Sequence, residues 1–102
     1  MPTRAQLEEL LKSDPEDVFL LYAHAKACAS EGDVETGLKQ FDEVLKRDAK
    51  HVATYFQKGQ VLAEAGQTAE AIAVLTQGIQ VAREVKNDHA ESEMRGFLDS
   101  LQ

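Results

Sequence analysis

The chain has 102 residues, 43% hydrophobic and 28% charged, which leaves room for one domain with a modest core and excludes a disordered composition. Its formal charge of −7, from 18 acids against 11 Lys and Arg, provides no basic stripe for phosphate contacts and speaks against nucleic acid as a partner. No window approaches the roughly 18 apolar residues of a membrane span.

The N-terminus, Met1 to Glu9, has acids where a secretory signal wants an apolar run. One cysteine cannot make an internal disulfide, which fits a reducing compartment, so the expected location is the cytoplasm. Long runs of Ala, Leu, Glu, Gln and Lys, with only two prolines, favour helix throughout.

Thr3, with Gln6 in capping-box spacing, predicts a short helix over residues 3–12 whose apolar stripe is Leu7, Leu10 and Leu11. Ser13-Asp14-Pro15 ends it, and the same residues predict that Asp14 caps the next helix with Pro15 at its first position. That helix runs to about Ser30, where Gly32 supplies a left-handed residue and Asp33 caps its successor. Gly37, Leu38, Phe41, Val44 and Leu45 form the buried face of the following helix, which ends near Arg47. Lys50 to Ala65 reads as another helix, with Gly66 in the role of Gly32. Thr68 opens a further one carrying Ala71, Ile72, Leu75 and Ile79, expected to end about Lys86 before Asn87-Asp88. Met94, Phe97, Leu98 and Leu101 fall at i, i+3, i+4 and i+7, which predicts a last amphipathic helix over 88–101.

The middle of this string repeats. Slid by 34 residues, Leu21 lands on Tyr55, Ala25 on Gly59, Cys28 on Leu62 and Gly32 on Gly66. Gly37 then lands on Ala71, Leu38 on Ile72, Phe41 on Leu75 and Leu45 on Ile79, so size and polarity repeat more than identity does. Leu7, Leu10 and Leu11 precede Phe41, Val44 and Leu45 by the same step, and the first helix reads as the second half of a unit. The last helix leaves the register, since Glu93 stands where Ala25 and Gly59 require a small residue, and it reads as a cap.

Tyr55, Gly59, Leu62, Gly66, Ala71 and Leu75 resemble the signature of the tetratricopeptide repeat family, and Leu21, Ala25, Cys28, Gly32, Gly37 and Phe41 are a weaker copy. The resemblance covers residues 14–83 and extends to small stand-alone bacterial repeat proteins; Cys28, Gly37, an internal Gly78 and Arg83 in place of a closing proline depart from the pattern. It implies an all-α fold: a short right-handed α-solenoid in one domain, 1–102, of two helix-turn-helix units (18–49 and 52–83) between an N-terminal half-unit helix (3–12) and a C-terminal capping helix (88–101). It also implies a protein- or peptide-binding scaffold whose concave groove is lined by the first helices of the units. Those positions are Phe19, Tyr22, Lys26 and Ala29 in the first unit, and Ala53, Phe56, Gln60 and Ala63 in the second. The version of that groove that clamps a C-terminal carboxylate uses paired Lys, Asn and Arg, whereas Lys26 is the lone cation in these slots.

Phe19, Tyr22 and Phe56 would then make an apolar strip of the kind that marks an interaction site, unless the first helix or the C-terminal cap covers Phe19 and Tyr22. Self-assembly into a homodimer through the same strip is the alternative, because two repeats sit near the lower limit of independent stability. His24 and Cys28, four apart, could supply half a metal site, but zinc wants four ligands or three and water, so both read better as packing residues. Carboxylates such as Glu8, Glu16, Asp33 and Glu43 lie at helix starts or on outer faces, and no phosphate-loop pattern occurs. Neither catalysis nor a cofactor is expected.

Overall fold

The computed structural model describes residues 1–102 and contains six helices: α1 (Arg4–Ser13), α2 (Val18–Ser30), α3 (Val34–Arg47), α4 (Val52–Glu64), α5 (Thr68–Glu84) and α6 (Asp88–Leu101). Residues Met1–Ala49 and Lys50–Gln102 form two compact units, the first holding α1 to α3 and the second α4 to α6.

Helix starts follow local chemistry. Thr3 and Gln6 make the full capping box, with Gln6 N–H on Thr3 Oγ1 at 3.1 Å and Thr3 N–H on Gln6 Oε1 at 2.8 Å. Asp17, Asp33 and Asn87 cap α2, α3 and α6 through side-chain oxygens. Asp14 does not cap α2, contrary to the expectation from sequence. It closes α1, its N–H on Leu10 O, and Pro15 sits in the turn that follows. Pro15 and Glu16 lie in that turn and the helix starts only at Val18, so Asp14 stands too far ahead of the first helical N–H groups to cap them. The cap falls instead to Asp17, whose carboxylate accepts from Leu20 N–H at 2.9 Å.

Three helices end alike. After α2, α4 and α5 the chain turns through a left-handed residue, Gly32 (φ 91°), Gly66 (φ 82°) and Lys86 (φ 61°). The residue after each returns its N–H to a helical carbonyl: Asp33 to Cys28, Gln67 to Leu62, Asn87 to Ala82. α4 begins at Val52, two residues later than expected, and α5 ends at Glu84, two earlier than Lys86. The left-handed turn at Lys86 stops α5, and sequence reading had placed no such residue there.

Packing within each unit sets one helix pair face to face. In the first, Leu21, Ala25 and Cys28 of α2 and Phe41 and Val44 of α3 are almost wholly buried. Burying Phe41 alone contributes about 2–3 kcal/mol. In the second, Tyr55, Gly59 and Leu62 of α4 meet Ala71, Leu75, Gly78 and Ile79 of α5, and α6 adds Met94. Of the expected α1 stripe only Leu7 is buried; Leu10 is 51% exposed.

Candidate functional site

The four first-unit residues that the resemblance assigns to a binding face lie on α2, but not in equivalent surroundings. Phe19 is 72% exposed, so neither α1 nor another helix of its unit covers it. Tyr22 is half-buried, its ring 6.2 Å from that of Phe41, and burial raises its pKa, which keeps the phenol protonated. Lys26 is exposed and places Nζ 5.5 Å from the Tyr22 ring centroid, a cation–π contact in place of a carboxylate partner. Ala29 belongs to the packing: a Cβ added at Gly37 would stand 3.2 Å from the Ala29 Cβ.

Phe19, Tyr22 and Lys26 border a groove of about 550 Å³ whose floor and sides include Leu7, Ala23 and Ala27. Met1, Pro2 and Ser30 complete it. Sequence reading missed Ala23 and Ala27: Ala23 stands one helical turn from Phe19, which it did select, and Ala27 one turn further along the same face.

On α4, Ala53 is exposed and Gln60 and Ala63 are half-buried. Phe56 is not an open anchor: its ring meets that of Phe97 on α6 edge-on, with centroids 6.0 Å apart. The capping helix therefore covers the second-unit aromatic.

A polar cluster closes the other side of the first unit. Gln40 Nε2 donates to His24 Nδ1 at 3.0 Å, which leaves the Nε2 proton for Glu8 Oε2 at 2.9 Å, with Cys28 Sγ 3.4 Å away. Arg4 joins Glu8 and Asp33, both at 3.0 Å. The His24 hydrogen bond and then Arg4 hold Glu8 below the usual carboxylate range. Two hydrogen bonds from Thr36, then Arg4, do the same for Asp33. Burial pushes the Cys28 thiol up, which favours its protonated form in the core. His24 and Cys28 do meet, but no group of three or more His, Cys, Asp or Glu is placed to hold a metal ion. The cluster is a clasp between α1, α2 and α3. No helix is long and apolar enough to cross a membrane.

Comparison with known proteins gives this arrangement its relatives. The tetratricopeptide repeat family model matches residues 52–85. A solution structure of a tetratricopeptide repeat domain protein from Salinibacter ruber is 31% identical, with a TM-score of 0.82 over 87% of this chain and 90% of that one. The chain belongs to the tetratricopeptide repeat family.

More distant structures share the fold of this tetratricopeptide repeat chain. The Yersinia enterocolitica type III secretion chaperone SycD, in complex with a peptide of the translocator YopD, is 15% identical, with a TM-score of 0.85 over 96% of this chain and 76% of that one. A repeat domain of yeast Sti1 in complex with an Hsp70 segment is 19% identical, with a TM-score of 0.88 over 96% and 78%. No curated protein sequence gave a significant match. The fold is thus the expected all-α helical repeat, with α2–α3 and α4–α5 as its two helix-turn-helix units.

Proposed function

We propose that this chain is a non-catalytic scaffold that holds a segment of another protein on the faces of its first-type helices. On α2 the contact residues are Phe19, Tyr22 and Lys26; on α4 they are Ala53, Gln60 and Ala63. One observation carries the reading: a phenylalanine 72% exposed beside a cation whose nearest partner is a tyrosine ring. Such a pairing offers an apolar anchor and a charge to the same ligand. Peptide complexes of SycD and Sti1 support it, as proteins of the same fold. The single cysteine, buried and unpaired, supports a cytoplasmic setting.

The test is a pull-down from native lysate with the wild-type chain and with Phe19→Glu, both checked for equal helicity by circular dichroism. A partner held by the wild type and lost by the variant is expected; equal recovery by both would end the reading. Self-association remains the second reading, because Met1, Leu10 and Phe19, three of the large apolar side chains left exposed, all belong to the first unit. It predicts a dimer in light scattering that Phe19→Glu converts to monomer. Phe56→Glu would not serve, because Phe56 packs on Phe97 and its loss would weaken the second unit itself.

A further inference from the structure

Inside the two units, three of the joints between successive helices contain a residue that does not continue a helix well. Pro15 stands between α1 and α2, and Gly32 and Gly66 turn the chain left-handed after α2 and α4. The α5–α6 joint, Val85-Lys86-Asn87, has neither glycine nor proline. Its left-handed residue is Lys86, φ 61°, a conformation disfavoured roughly ten-fold against right-handed helix in any residue with a Cβ. Every residue from Arg83 to Ala90 accepts the helical conformation. With Lys86 right-handed, α5 and α6 would become one helix from Thr68 to Leu101, about 50 Å long.

Two contacts oppose that fusion. Asn87 Oδ1 accepts from Ala90 N–H at 3.0 Å and caps α6, and Arg83 reaches Glu91 at 3.2 Å, a pair that a continuous helix would hold about 12 Å apart along its axis. Both are surface contacts of the same modest size as the strain, so the bent and straight joints lie close in free energy. α6 cannot, however, leave its seat uncovered. Met94 is 0% exposed, and a Cβ added at Gly78 would stand 2.8 Å from its Sδ. Phe97 meets Phe56 with ring centroids 6.0 Å apart. A chain with a straight joint needs another α4–α5 surface for its α6, and a second copy presents an identical one.

We propose that this chain exchanges α6 with a second copy: Lys86 turns right-handed, α5 and α6 fuse, and each α6 covers α4 and α5 of the other chain. Every contact of α6 is remade across the two-fold axis, so only the joint and the entropy of association separate the dimer from two monomers. Val85 is a second observation at the same place. It is 40% exposed, one turn beyond buried Val81, and the two straight joints of such a dimer run side by side at the axis, where it gains an apolar neighbour. The surface is distinct from the Phe19 face, and a dimer through Phe19 would leave α6 in its own chain.

The test is refolding of the full chain from urea at about 10 μM and about 1 mM, in about 0.5 M salt to screen the charge of −7, followed by light scattering. A dimer at the higher concentration is expected, and Phe19→Glu should not dissolve it. Lys86→Gly relieves the monomer and weakens the fused helix, once per chain, so it should weaken dimerisation about a hundred-fold. Asn87→Ala, which uncaps α6, should strengthen it at least about ten-fold at unchanged helicity by circular dichroism. Spin labels on Ala73→Cys/Asp99→Cys, both exposed, report the joint itself when the labelled chain is refolded with excess wild type. In the hairpin these positions lie side by side, five residues beyond the touching pair Gly78 and Met94 on each helix, whereas a fused helix sets them about 39 Å apart. The long distance in the dimer and the short one in the monomer are expected. A dimer with only the short distance would be an ordinary association and overturns the proposal. So does a dimer that Lys86→Gly forms as readily as wild type, or the absence of any dimer at about 1 mM in both wild type and Asn87→Ala.

Discussion

The two units build the same hairpin from different materials. The second relies on glycine: Gly59 lets α5 close over α4, and Gly78 lets Tyr55 and Met94 approach the α5 backbone. The first has Ala25 of α2 and Val44 of α3 at the matching positions, Gly37 against Ala29, and a clasp of Arg4, Glu8, His24 and Gln40. Dry contact between helices is not screened or titrated, whereas a half-exposed clasp is both. The unit that is dry closes its outer helix with aromatic and methionine contacts; the unit with the clasp leaves Leu10 and Phe19 in solvent. The repeat thus conserves the places where helices must meet and varies the chemistry that seals the ends.

The sharpest way to break that comparison is at Gly78. Alanine there gains about 1 kcal/mol of helix propensity, but its Cβ would lie 2.5 Å from the Tyr55 Cβ and 2.8 Å from Met94 Sδ. Both neighbours are buried and cannot retreat, so a net loss of about 2 kcal/mol is expected, seen as a lower urea midpoint. A variant as stable as wild type would mean that α5 does not need glycine to pack.

His24→Ala attacks the other unit. It removes a buried ring and hydrogen bonds to Glu8 and Gln40, both of which can turn to water, so a loss of about 1–2 kcal/mol is expected. Gln40→Ala should cost less than His24→Ala, and the double variant little more than His24→Ala alone, if the side chains act as one network. Additive losses in that cycle would dissolve the clasp into separate contacts.

Gly96→Ala is the control for the first experiment. Gly96 is exposed on α6 with nothing within 4 Å of an added Cβ, so the same substitution should raise stability by about 0.5–1 kcal/mol. Opposite signs at positions 78 and 96 would show that surroundings, not helix propensity, decide what glycine does in this chain.

Repetition made the hairpins legible because each large and small slot recurs at one spacing, and burial of Leu21, Phe41, Tyr55 and Gly59 follows from that pattern. Capping was legible where a short polar side chain stood three residues before a free N–H, as at Thr3 and Asp33. The left-handed Lys86 was not, since nothing in a lysine side chain announces φ above zero. The α2 face was legible residue by residue, but its exposure was not. Which helix covers an aromatic depends on the path of the terminal helices, and α6 covers Phe56 while Phe19 stays open. The clasp escaped because Arg4, Glu8, His24 and Gln40 come from three helices and share no spacing.

The gentlest test of the comparison is acid. Glu8 and Asp33 in the first unit, and Glu91 in the second, have carboxyl groups held below their ordinary values, by the His24 hydrogen bond, the Thr36 hydrogen bonds and the Arg95 hydrogen bond first. A depressed carboxyl group stabilises the fold fully above its unfolded value, and that share is lost as pH falls through the folded one. Above the ordinary carboxylate range nothing should change at these groups; below it their share of the stability is lost as they take up protons and their ion pairs dissolve. α1 then loses two links to its neighbours, Glu8 to His24 and Arg4 to Asp33, while α6 loses one, Glu91 to Arg83. α6 keeps Phe97 on Phe56 and Met94 in the core, contacts that do not titrate. Amide exchange corrected for intrinsic rates should therefore show protection falling in α1 before α6 on descent to about pH 3.5. Simultaneous loss in both helices would mean that the clasp holds α1 no more than its single buried leucine does, and that the two ends of the chain are sealed by the same physics after all.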